Sequence, residues 1–579
     1  MKALFLTFFV FSIQFSFAQT VDCLNVAGHF LSDKATRVVM DNEGNTYMTG
    51  YYNEEATFGS IVIPFSNPHS KEVFIAKIDP NGNFLWVKNG VNYYDDRGLG
   101  ICLDNNNNVY VTGTCWGGIQ FGPLYASTPS SYTDNIFFVK LDSDGNFLHL
   151  EVVGCDEGDD HGLDVEFDGI GSVYVTGFIS GVSFFPDGID GIANFGSIAV
   201  NAPEDSLAFL AKFEIATNNW TWVRTFDGDH LNKENRVAVD RFGNPYICGG
   251  YKGTVNFGAN SLTSNGSRDI FVTKYDPLGN HVYAVSAGGP LEDRADGIAI
   301  GLDDHVYLTG EFRDKAIFGS DTINNNGGPN GADIFVSRMD LNGTWKWAKK
   351  AGSDGGKDRG TDICVNNKFN IFVSGQFKHE AKFGGDIDLI DTSSVQFFVA
   401  AIDTLGKWRW AKQGGGPNDD RGSGIACDTS CNLVTCGYFE DECSFESEFV
   451  QGITNFQIKK DIFVAKIEDA CFGYDTPPVV PIDEPIFCET IEGNVFTPNN
   501  DGANDEYEFV TTCNSKNMSV SIVNRWGNEI YTSKDLNQAW NGKDKNGNLV
   551  TEGVYFYSLN YKSENGADVV KKGYISVFF

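Results

Sequence analysis

Short runs of alternating apolar and polar residues, separated by tight polar turns, fill the first four-fifths of the chain. In DNEGNTYMTG, residues 41–50, a polar turn leads into the strand-forming sequence TYMTG. The Asp41 carboxylate can accept hydrogen bonds from N–H groups of the turn, and Gly44 can adopt a positive φ. The pattern therefore predicts a β-hairpin with strands at residues 37–40 and 46–52.

Copies of this phrase recur at intervals of about 60 to 70 residues, each closed by a glycine. A second phrase lies between successive copies, as in EVFIAKIDPNGNFLW at residues 72–86, and predicts two more strands, at 74–78 and 84–88. The closing glycines are Gly50, Gly113, Gly177, Gly249, Gly310, Gly375 and Gly437. Four-stranded units need neighbours to bury their faces, so seven repeats predict an all-β fold, a seven-bladed β-propeller over residues 19–472.

The ends of the repeat region predict how such a ring closes. The last repeat stops after DIFVAKIED, residues 461–469, without a fourth strand, whereas CLNVAG at 23–28 shares the register of WKWAKKAG at 345–352. We therefore expect the N-terminal strand to complete the last blade, which leaves no open sheet edge. Cys23 and Cys471 would meet at this seam, and we predict a disulfide between them.

These repeats resemble the secreted bacterial propeller repeats known as SBBP repeats, over residues 21–471. The resemblance implies a propeller and assigns no activity.

A different module follows a proline-rich stretch at 473–487, which reads as a stiff linker. Residues 488–579 resemble the type B C-terminal sorting domain of Bacteroidetes, also called the gliding-motility-associated C-terminal domain. Four motifs carry the resemblance: FTPNNDGANDEYEF (496–509), VSIVNRWGNEIY (520–531), AWNGKDKNGNLVTEGVYFY (539–557) and KKGYISVFF (571–579). The motif residues are Pro498, Asp501, Gly502, Asn504, Asp505, Arg525, Trp526, Gly527, Trp540 and Gly542.

The resemblance implies a small β-sandwich that addresses the protein to the type IX secretion translocon at the outer membrane. The strand pattern itself places strands at 519–524, 529–532 and 553–561.

Export would begin with residues 1–18, where Lys2, an apolar run and the small residues Ser16 and Ala18 predict a signal peptide cleaved after Ala18. No later run approaches ~18 apolar residues, so we expect no transmembrane segment in the mature chain and a secreted or cell-surface location.

Charge and cysteine content narrow the possible partners. Forty-three Lys and Arg against 77 Asp and Glu give a formal charge of -34, which repels phosphate backbones and excludes nucleic acid as an expected partner.

The 13 cysteines enter an oxidising compartment, and Cys488 and Cys513 flank the first sorting motif as a second predicted disulfide. Cys427 and Cys431 can bridge or bind metal, but the spacings lack paired zinc knuckles, so we predict no metal site and no cofactor.

Two interpretations also remain open for Asp501, Asn504 and Asp505, which can cap a turn or hold Ca²⁺.

Near the start of each innermost strand, a basic residue follows an acidic or amide residue. The pairs are Asp33–Lys34, Asp96–Arg97, Asp160–His161, Asn235–Arg236, Asp293–Arg294, Asp358–Arg359 and Asp420–Arg421. In a propeller they form a ring at one channel mouth, and we take Arg97, His161, Arg236, Arg294, Arg359 and Arg421 as ligand-binding candidates for an anionic sugar or carboxylate. The alternative is that each pair holds successive blades together.

Departures from the repeat can point to a functional loop, and the alternative is an insertion that the fold merely tolerates. The third repeat has an insertion around residues 184–193, and its second phrase, FEIATNNWTW at 213–222, loses the usual turn. The tryptophan pairs Trp220/Trp222, Trp345/Trp347 and Trp408/Trp410 can stack sugars or pack against the next blade.

No HExxH or GxSxG motif occurs in the sequence, so we assign no catalytic residue and leave enzyme activity open. The preferred hypothesis is a non-enzymatic surface or secreted propeller that binds glycans or surface proteins. The alternative is a carbohydrate-active hydrolase or lyase that uses the channel mouth.

Overall fold

The computed structural model resolves two compact units, which divide after residue 473. In the first unit it describes residues 20–28, 32–65, 67, 70–128, 133–155, 158–181, 191–202, 206–228, 235–258, 260–325, 328–353, 355–452 and 460–472. In the second unit it describes residues 490–491, 495–498, 507, 510–511, 519–524, 528–534, 539–562 and 568–577. The predicted signal peptide and linker lie outside these residues.

The first unit is built of strands that follow the sequence repeats. β1 (Thr20–Gly28) comes first. Repeat one has β2 (Lys34–Met40), β3 (Thr46–Asn53), β4 (Ala56–Phe58), β5 (Ile61–Ile63), β6 (Lys71–Ile78) and β7 (Phe84–Val91). Repeat two has β8 (Arg97–Leu103), β9 (Val109–Trp116), β10 (Gly118–Phe121), β11 (Leu124–Ser127), β12 (Asp134–Leu141) and β13 (Phe147–Val153). Repeat three has β14 (His161–Phe167), β15 (Ser172–Ile179), β16 (Gly191–Phe195), β17 (Ile198–Ala202), β18 (Leu207–Glu214) and β19 (Asn219–Gly228).

In the remaining repeats some of these strands merge. Repeat four has β20 (Arg236–Val239), β21 (Pro245–Phe257), β22 (Asn260–Tyr275) and β23 (His281–Ala287). Repeat five has β24 (Arg294–Gly301), β25 (His305–Phe312), β26 (Lys315–Phe318), β27 (Asp321–Asn324), a 3₁₀ helix (Gly328–Asn330), β28 (Asp333–Asp340) and β29 (Trp345–Ala351). Repeat six has β30 (Arg359–Val365), β31 (Ile371–Lys382), β32 (Asp388–Ile402) and β33 (Trp408–Gly415). Repeat seven has β34 (Arg421–Cys427), β35 (Leu433–Glu440), β36 (Glu442–Phe445), β37 (Glu448–Gln451) and β38 (Lys460–Glu468).

Four long strands of each repeat form an antiparallel sheet in chain order, as in β2–β3–β6–β7. The last repeat supplies only three of its four strands, β34, β35 and β38. β1 lies antiparallel to β38, from Thr20 opposite Glu468 to Ala27 opposite Ile462. The N-terminal strand is therefore the fourth strand of the last sheet.

The turn between the first two strands forms as the sequence predicts. Asp41 Oδ1 accepts hydrogen bonds from the N–H groups of Glu43 (3.0 Å) and Asn45 (2.8 Å), and Gly44 has φ of 83°. Asp41 Oδ2 accepts from Asn45 Nδ2 at 2.8 Å, so both carboxylate oxygens are used within the hairpin. The aspartate is a turn-forming residue.

Each repeat also contains a short hairpin that the sequence analysis missed. In repeats one and two these hairpins are β4–β5 and β10–β11. They do not extend their own sheet, because β10 pairs with β7 of the preceding repeat and β4 pairs with β1. These two hairpins thus cover the outer edge of the neighbouring sheet.

The paired tryptophans pack between successive repeats. Trp347 Nε1 donates to Thr404 O at 2.9 Å, and Trp222 Nε1 donates to Pro277 O at 3.2 Å, in each case across to the following repeat. Both rings are less than a tenth exposed. They therefore stabilise the contact between neighbouring sheets. This agrees with the interpretation that the tryptophan pairs pack against the next repeat.

The third repeat departs from the pattern as its sequence suggests. Most of the insertion lies outside the described residues, and its last three residues begin β16. The turn between β18 and β19 uses Asn218 at a φ of 49° where other repeats place glycine.

In the second unit the described residues form two sheets. Its strands are β39 (Thr490–Ile491), β40 (Val495–Phe496), β41 (Val510–Thr511), β42 (Ser519–Val523), β43 (Glu529–Ser533), β44 (Gly553–Lys562) and β45 (Asp568–Val577). Five strands pair in the order β40–β45–β44–β42–β43, and β39 pairs with β41. Trp540 is fully buried in this core and donates from Nε1 to Lys543 O at 2.9 Å.

The predicted disulfide between Cys23 and Cys471 is wrong. Cys471 is bonded to Cys431, with the Cα atoms 5.3 Å apart. After β38 the chain turns back on its own sheet, where Ala470 N donates to Cys431 O at 2.9 Å and brings the next residue to the β34–β35 turn. The backbone of Cys23, in β1, lies opposite Lys466 of β38 instead. Cys488 and Cys513 lie outside the described residues.

The Cys431–Cys471 bond closes a segment of 40 residues, so its loss should lower the free energy of unfolding by about 2–4 kcal/mol. Cys431→Ser and Cys471→Ser should have equal effects, and Cys23→Ser should change stability much less. Denaturant unfolding of the three variants measures this. A peptide map that links Cys23 to Cys471 would contradict the assignment.

Candidate functional site at the first strands

The first strands of the seven repeats line one small cavity of about 110 Å³. Each strand contributes one buried aliphatic side chain at the same position. These are Val38, Ile101, Val165, Val237, Ile298, Ile363 and Ile425. Five ionisable side chains also line the cavity: Arg37, Asp164, Glu166, Arg236 and Asp362. The cavity therefore has an apolar belt beside a charged layer.

Arg37 is held by groups from other repeats. Its Nη1 lies 3.0 Å from Asp362 Oδ2 and donates to Ser423 O at 3.2 Å. Asp362 Oδ2 also accepts from Ile425 N at 3.0 Å. Burial lowers the pKa of Arg37, but the carboxylates of Asp362 and Asp164 outweigh it and raise the pKa overall. Arg37 therefore stays charged.

Asp164 is satisfied in a similar way. Its Oδ2 accepts from Val237 N at 3.1 Å, and burial raises the pKa of this carboxyl to about 6. Burial raises the pKa of Glu166 to about 8, with the charges of Asp164 and Asp362 adding to the shift. At neutral pH most of Glu166 is therefore protonated.

Glycine lets these strands approach each other. A Cβ on Gly100 would lie 2.7 Å from the Asp164 Cα of the next repeat, and one on Gly297 would lie 2.9 Å from the Asp362 Cα. A side chain at either position would push two first strands apart.

The sequence analysis placed Arg236 at the position of Lys34, at the start of a first strand. In the structure it lies at the position of Arg37, three residues later, so the prediction is wrong. Arg236 faces Cys248, the residue before Gly249, just as Arg37 faces Thr49, the residue before Gly50. Arg236 therefore belongs to the charged layer of the cavity. The same register appears when NKENRVAVD (232–240) is aligned with DKATRVVMD (33–41). In this alignment the counterpart of Lys34 is Lys233, which lies outside the described residues.

The other basic candidates begin the first strands, but the acidic residue before each one serves the backbone. Asp358 accepts from Lys378 N at 2.9 Å and from Ser353 N at 3.0 Å. Asp420 accepts from Glu440 N at 2.8 Å and its own N–H donates to Val395 O of the preceding repeat at 2.8 Å. These buried aspartates join successive repeats, in line with the structural alternative.

Burial raises the pKa of these aspartates. It raises the pKa to about 7 for Asp160 and Asp358 and to about 8 for Asp293 and Asp420, although backbone N–H groups oppose the shift. The four carboxyls are therefore partly protonated near neutral pH.

Within the described residues, five of the six basic candidates lie within 4 Å of a carboxylate, and Arg97 and Arg421 pair with Asp95 (3.1 Å) and Asp419 (3.5 Å), two residues before them. Arg359 Nε donates to Asp296 Oδ2 of the preceding repeat at 2.8 Å. Arg294 Nε lies 3.3 Å from Glu311 Oε1, and His161 Nε2 lies 3.4 Å from Asp134 Oδ2. The charges of Arg359 and Arg294 are therefore already compensated.

The candidates Arg97 and Arg421 belong to a group that we call the cationic arc: Lys34, Lys71, Arg97, Arg421 and Lys460. Two tyrosines lie among them. Lys34 and Lys460 Nζ are 4.4 and 4.7 Å from the ring centre of Tyr438, and Lys71 Nζ is 5.8 Å from that of Tyr51. The sequence analysis missed Lys71 and Lys460, because they begin third strands that lack a recurring basic residue.

Electrostatic repulsion is evident at Lys34. Burial and then the charges of Lys460, Arg421, Lys71 and Arg97 lower its pKa to about 8. Asp95 lies 2.7 Å from Lys71 and 3.1 Å from Arg97. Asp419 lies 3.5 Å from Arg421, and Glu440 lies 3.5 Å from Lys460. Among the described residues no carboxylate lies within 4 Å of the Lys34 ammonium. An anion at the arc would relieve this repulsion.

The structure describes part of the sorting motif. Pro498 and Trp540 are buried, and Gly542 has φ of 71°. The other motif residues lie outside the described residues: Asp501, Gly502, Asn504, Asp505, Arg525, Trp526 and Gly527. Whether Asp501, Asn504 and Asp505 cap a turn or hold Ca²⁺ therefore stays a prediction. Within the part of the chain that is described, no three or more metal-ligating side chains cluster.

Comparison with known proteins identifies the second unit. Residues 490–577 match the family described as the CHU_C type IX secretion signal domain. The chain is also 23% identical over 419 residues to an uncharacterized WD repeat-containing protein, L264, of Acanthamoeba polyphaga mimivirus, covering 60% of this chain. It spans only 29% of that relative's length.

Solved structures resemble the chain more distantly. A fungal alcohol oxidase of the AA5 family aligns with 96% of this chain and 100% of its own, at 11% identity and a TM-score of 0.40. The Dos1 propeller aligns with 76% of this chain and 95% of its own, at 9% identity and a TM-score of 0.33. Such low values assign no activity to this chain.

The N-terminal region is propeller-like, and the signal domain means that the type IX secretion machinery handles the protein. Among the described residues, no helix has the length and apolar character to cross a membrane. The protein is exported across the outer membrane to the cell surface or the extracellular space.

The four buried aspartates make stability depend on pH. Their pKa values are higher in the folded protein than in the unfolded chain, so the stability that they provide is lost as pH rises through about 7 to 8. Calorimetry should show a lower Tm at pH 9 than at pH 6. Glu166, whose pKa burial raises to about 8, adds to this effect, and together these groups outweigh the opposite effect of Lys34.

Asp358→Asn provides the control for this prediction. The variant should be less stable at every pH, because its amide nitrogen meets an N–H group, but its Tm should fall less between pH 6 and pH 9. A wild-type Tm that rises over this range would contradict the prediction.

Deletion of residues 488–579 tests the export signal. The shortened protein should accumulate in the periplasm, because the address recognised by the type IX machinery is absent. Cell fractionation and surface protease digestion measure its location, with the full chain as control. Unchanged surface delivery would show that the address lies elsewhere.

Proposed function

We propose that the first unit is a closed seven-bladed β-propeller of the SBBP type and that it binds extracellular glycans or surface proteins without catalysing a reaction. A β-sandwich sorting domain delivers it to the cell surface or the medium.

Contacts between the last and first repeats support a closed ring. Lys466 Nζ donates to Pro80 O at 2.9 Å, the same contact that Lys274 makes with Leu341 O at 3.3 Å between repeats four and five. Asp33 N donates to Lys460 O at 2.7 Å, as Asp420 N does to the repeat before it. The last and first repeats thus meet as consecutive repeats do.

The interior of the cavity is a poor ligand site. Its volume of about 110 Å³ lies below the ~300 Å³ at which ligand pockets usually begin. Arg37, Asp164 and Asp362 are bonded to one another or to backbone groups of neighbouring repeats. A ligand would therefore bind outside, at the entrance.

The cationic arc is the observation that carries the proposal. It gathers five cations around two tyrosines in a chain whose formal charge is -34, and burial together with the repulsion of the other cations lowers the pKa of Lys34. Ammonium and guanidinium groups bind carboxylate or sulfate groups, and tyrosine faces can pack against a sugar ring.

One observation favours a hydrolase or lyase as a second candidate. Asp164 and Glu166 are two carboxyls of one strand with raised pKa values, as general acids require. The small cavity beside them leaves no room for a polysaccharide, so we rank this function second.

Substitution of the arc tests both candidates. Lys34→Gln with Arg97→Gln should weaken binding of the natural glycan or surface partner tenfold or more, since a charge-assisted hydrogen bond contributes ~1.5–3 kcal/mol. Lys252→Gln, which removes an exposed charge away from the arc, is the matched control. Glycan arrays and a pull-down from the cell surface identify the ligand.

Polysaccharide turnover that disappears in the arc variant would overturn the non-enzymatic proposal in favour of the second candidate. Binding that the arc variant leaves unchanged would exclude the arc as the binding surface.

A further inference from the structure

A larger groove, of about 770 Å³, lies between repeats five and six, away from the first strands. Its walls are β29, the turn between β31 and β32, and the turn that precedes β33. The volume falls within the ~300–1,000 Å³ range of ligand pockets. We call it the inter-repeat groove.

The first departure from the repeat that shapes this groove is a longer hairpin turn. Repeats one, three and five turn at Phe-Gly-Ser, as at residues 58–60, 195–197 and 318–320. Repeat six instead places Phe383 to Ile387 between β31 and β32. Gly384 and Gly385 have φ of 88° and 65°, and a Cβ on either would meet nothing within 4 Å. The lengthened turn leaves space beside it.

The second departure is Lys407, which replaces the asparagine of the repeated turn. At the equivalent position Asn83 Nδ2 donates to Asp79 Oδ2 at 2.9 Å. In repeat six the backbone N–H of Lys407 still donates to Asp403 Oδ1 at 2.8 Å, while Arg409 Nε takes over the other oxygen at 2.8 Å. The turn therefore does not need the Lys407 side chain, which lines the groove instead.

The third departure is the lysine pair at Lys349 and Lys350. The equivalent residues of repeat one are Lys88 and Asn89. Lys350 Nζ donates to the backbone carbonyl of Asn324 at 2.5 Å. Lys349 has no ion pair with any described residue.

The three departures converge on one positively charged surface. Lys349, Lys350, Lys382, Lys407 and Arg409 line the groove against a single carboxylate, Asp386. Arg409 is paired with Asp403, and Lys382 lies 3.1 Å from Glu380, where both groups are exposed and screened by solvent. The lysines nevertheless outnumber the acids in a chain of formal charge -34.

Apolar side chains flank these cations. Ile387 lies in the widened turn, and Phe383 and Trp408 pack edge to face beneath it with ring centres 4.9 Å apart. An inorganic anion would use only the charges, whereas a sugar that carries acidic groups can use both the charges and the apolar wall.

We propose that the inter-repeat groove is a binding site for an acidic glycan, held by its carboxylate or sulfate groups. The inference rests on the proposed function, for which it names a second site and a chemical class of ligand. Lys349 and Lys407 bind the acidic groups, and the sugar ring lies against the wall at Ile387.

Calorimetric titration of the full chain tests the site. The probes are an oligogalacturonate, a sulfated heparin-type oligosaccharide, a neutral cello-oligosaccharide and inorganic phosphate. Lys349→Gln with Lys407→Asn should raise Kd for an acidic probe tenfold or more. Lys407→Asn restores the residue that the turns of repeats one, two and four have at this position (Asn83, Asn146 and Asn280), so this variant should keep the wild-type Tm.

Lys88→Gln is the matched control. Lys88 occupies the position of Lys349 in repeat one, and its Cε lies 2.7 Å from a Cβ built on Gly145, as the Cε of Lys349 lies 2.6 Å from one on Gly406. This control should bind the acidic probes like the wild type. Preference for the carboxylated or for the sulfated probe identifies the acidic group.

Three outcomes would overturn the site: equal binding of the neutral probe, unchanged binding in the Lys349/Lys407 variant, or complete displacement of the acidic glycan by equimolar phosphate. If the variants of the cationic arc abolish acidic glycan binding and the groove variants do not, the groove fails and the proposed function stands. If neither glycan nor surface partner binds the full chain, the proposed function itself fails.

Discussion

The contact between neighbouring first strands is the constraint on which the first unit depends. A four-stranded sheet cannot bury both faces alone, so each repeat packs against the next one. Buried aspartates such as Asp358 and Asp420 fix that contact, because their carboxylates hold the backbone within one repeat while the N–H of the same residue binds the repeat before it. Glycines at Gly100 and Gly297 allow the close approach. The order of the repeats in space follows from these few groups.

Much of this architecture could be predicted from sequence, because it rests on local chemistry. The Asp41 turn requires only an aspartate and a glycine at a fixed spacing, and the strands that flank it alternate in a recognisable way. The position of β1 beside β38 followed from counting strands. The short hairpins were missed because three- and four-residue strands have too few positions to show an alternation.

Other features depended on geometry that the sequence does not display. Arg236 was misplaced because repeat four has Asn232 where repeat one has Asp33; the strand register aligned Arg236 with Arg37 and pointed to the matching alignment of the two sequences. Cys471 was assigned to the wrong partner because the path of the chain after β38 cannot be read from spacing. The cations of the arc and of the inter-repeat groove come from several strands each, so no single motif contains them.

The pairing of β1 with β38 couples the two ends of the first unit. The strand that is made first must wait for a partner made more than four hundred residues later, because Val21 lies opposite Ile467. Such a distant contact forms slowly, since the chain loses the entropy of a very long loop when it forms. A chain that stops short in the repeats therefore leaves its first strand without this partner, so that the edge of the strand stays exposed.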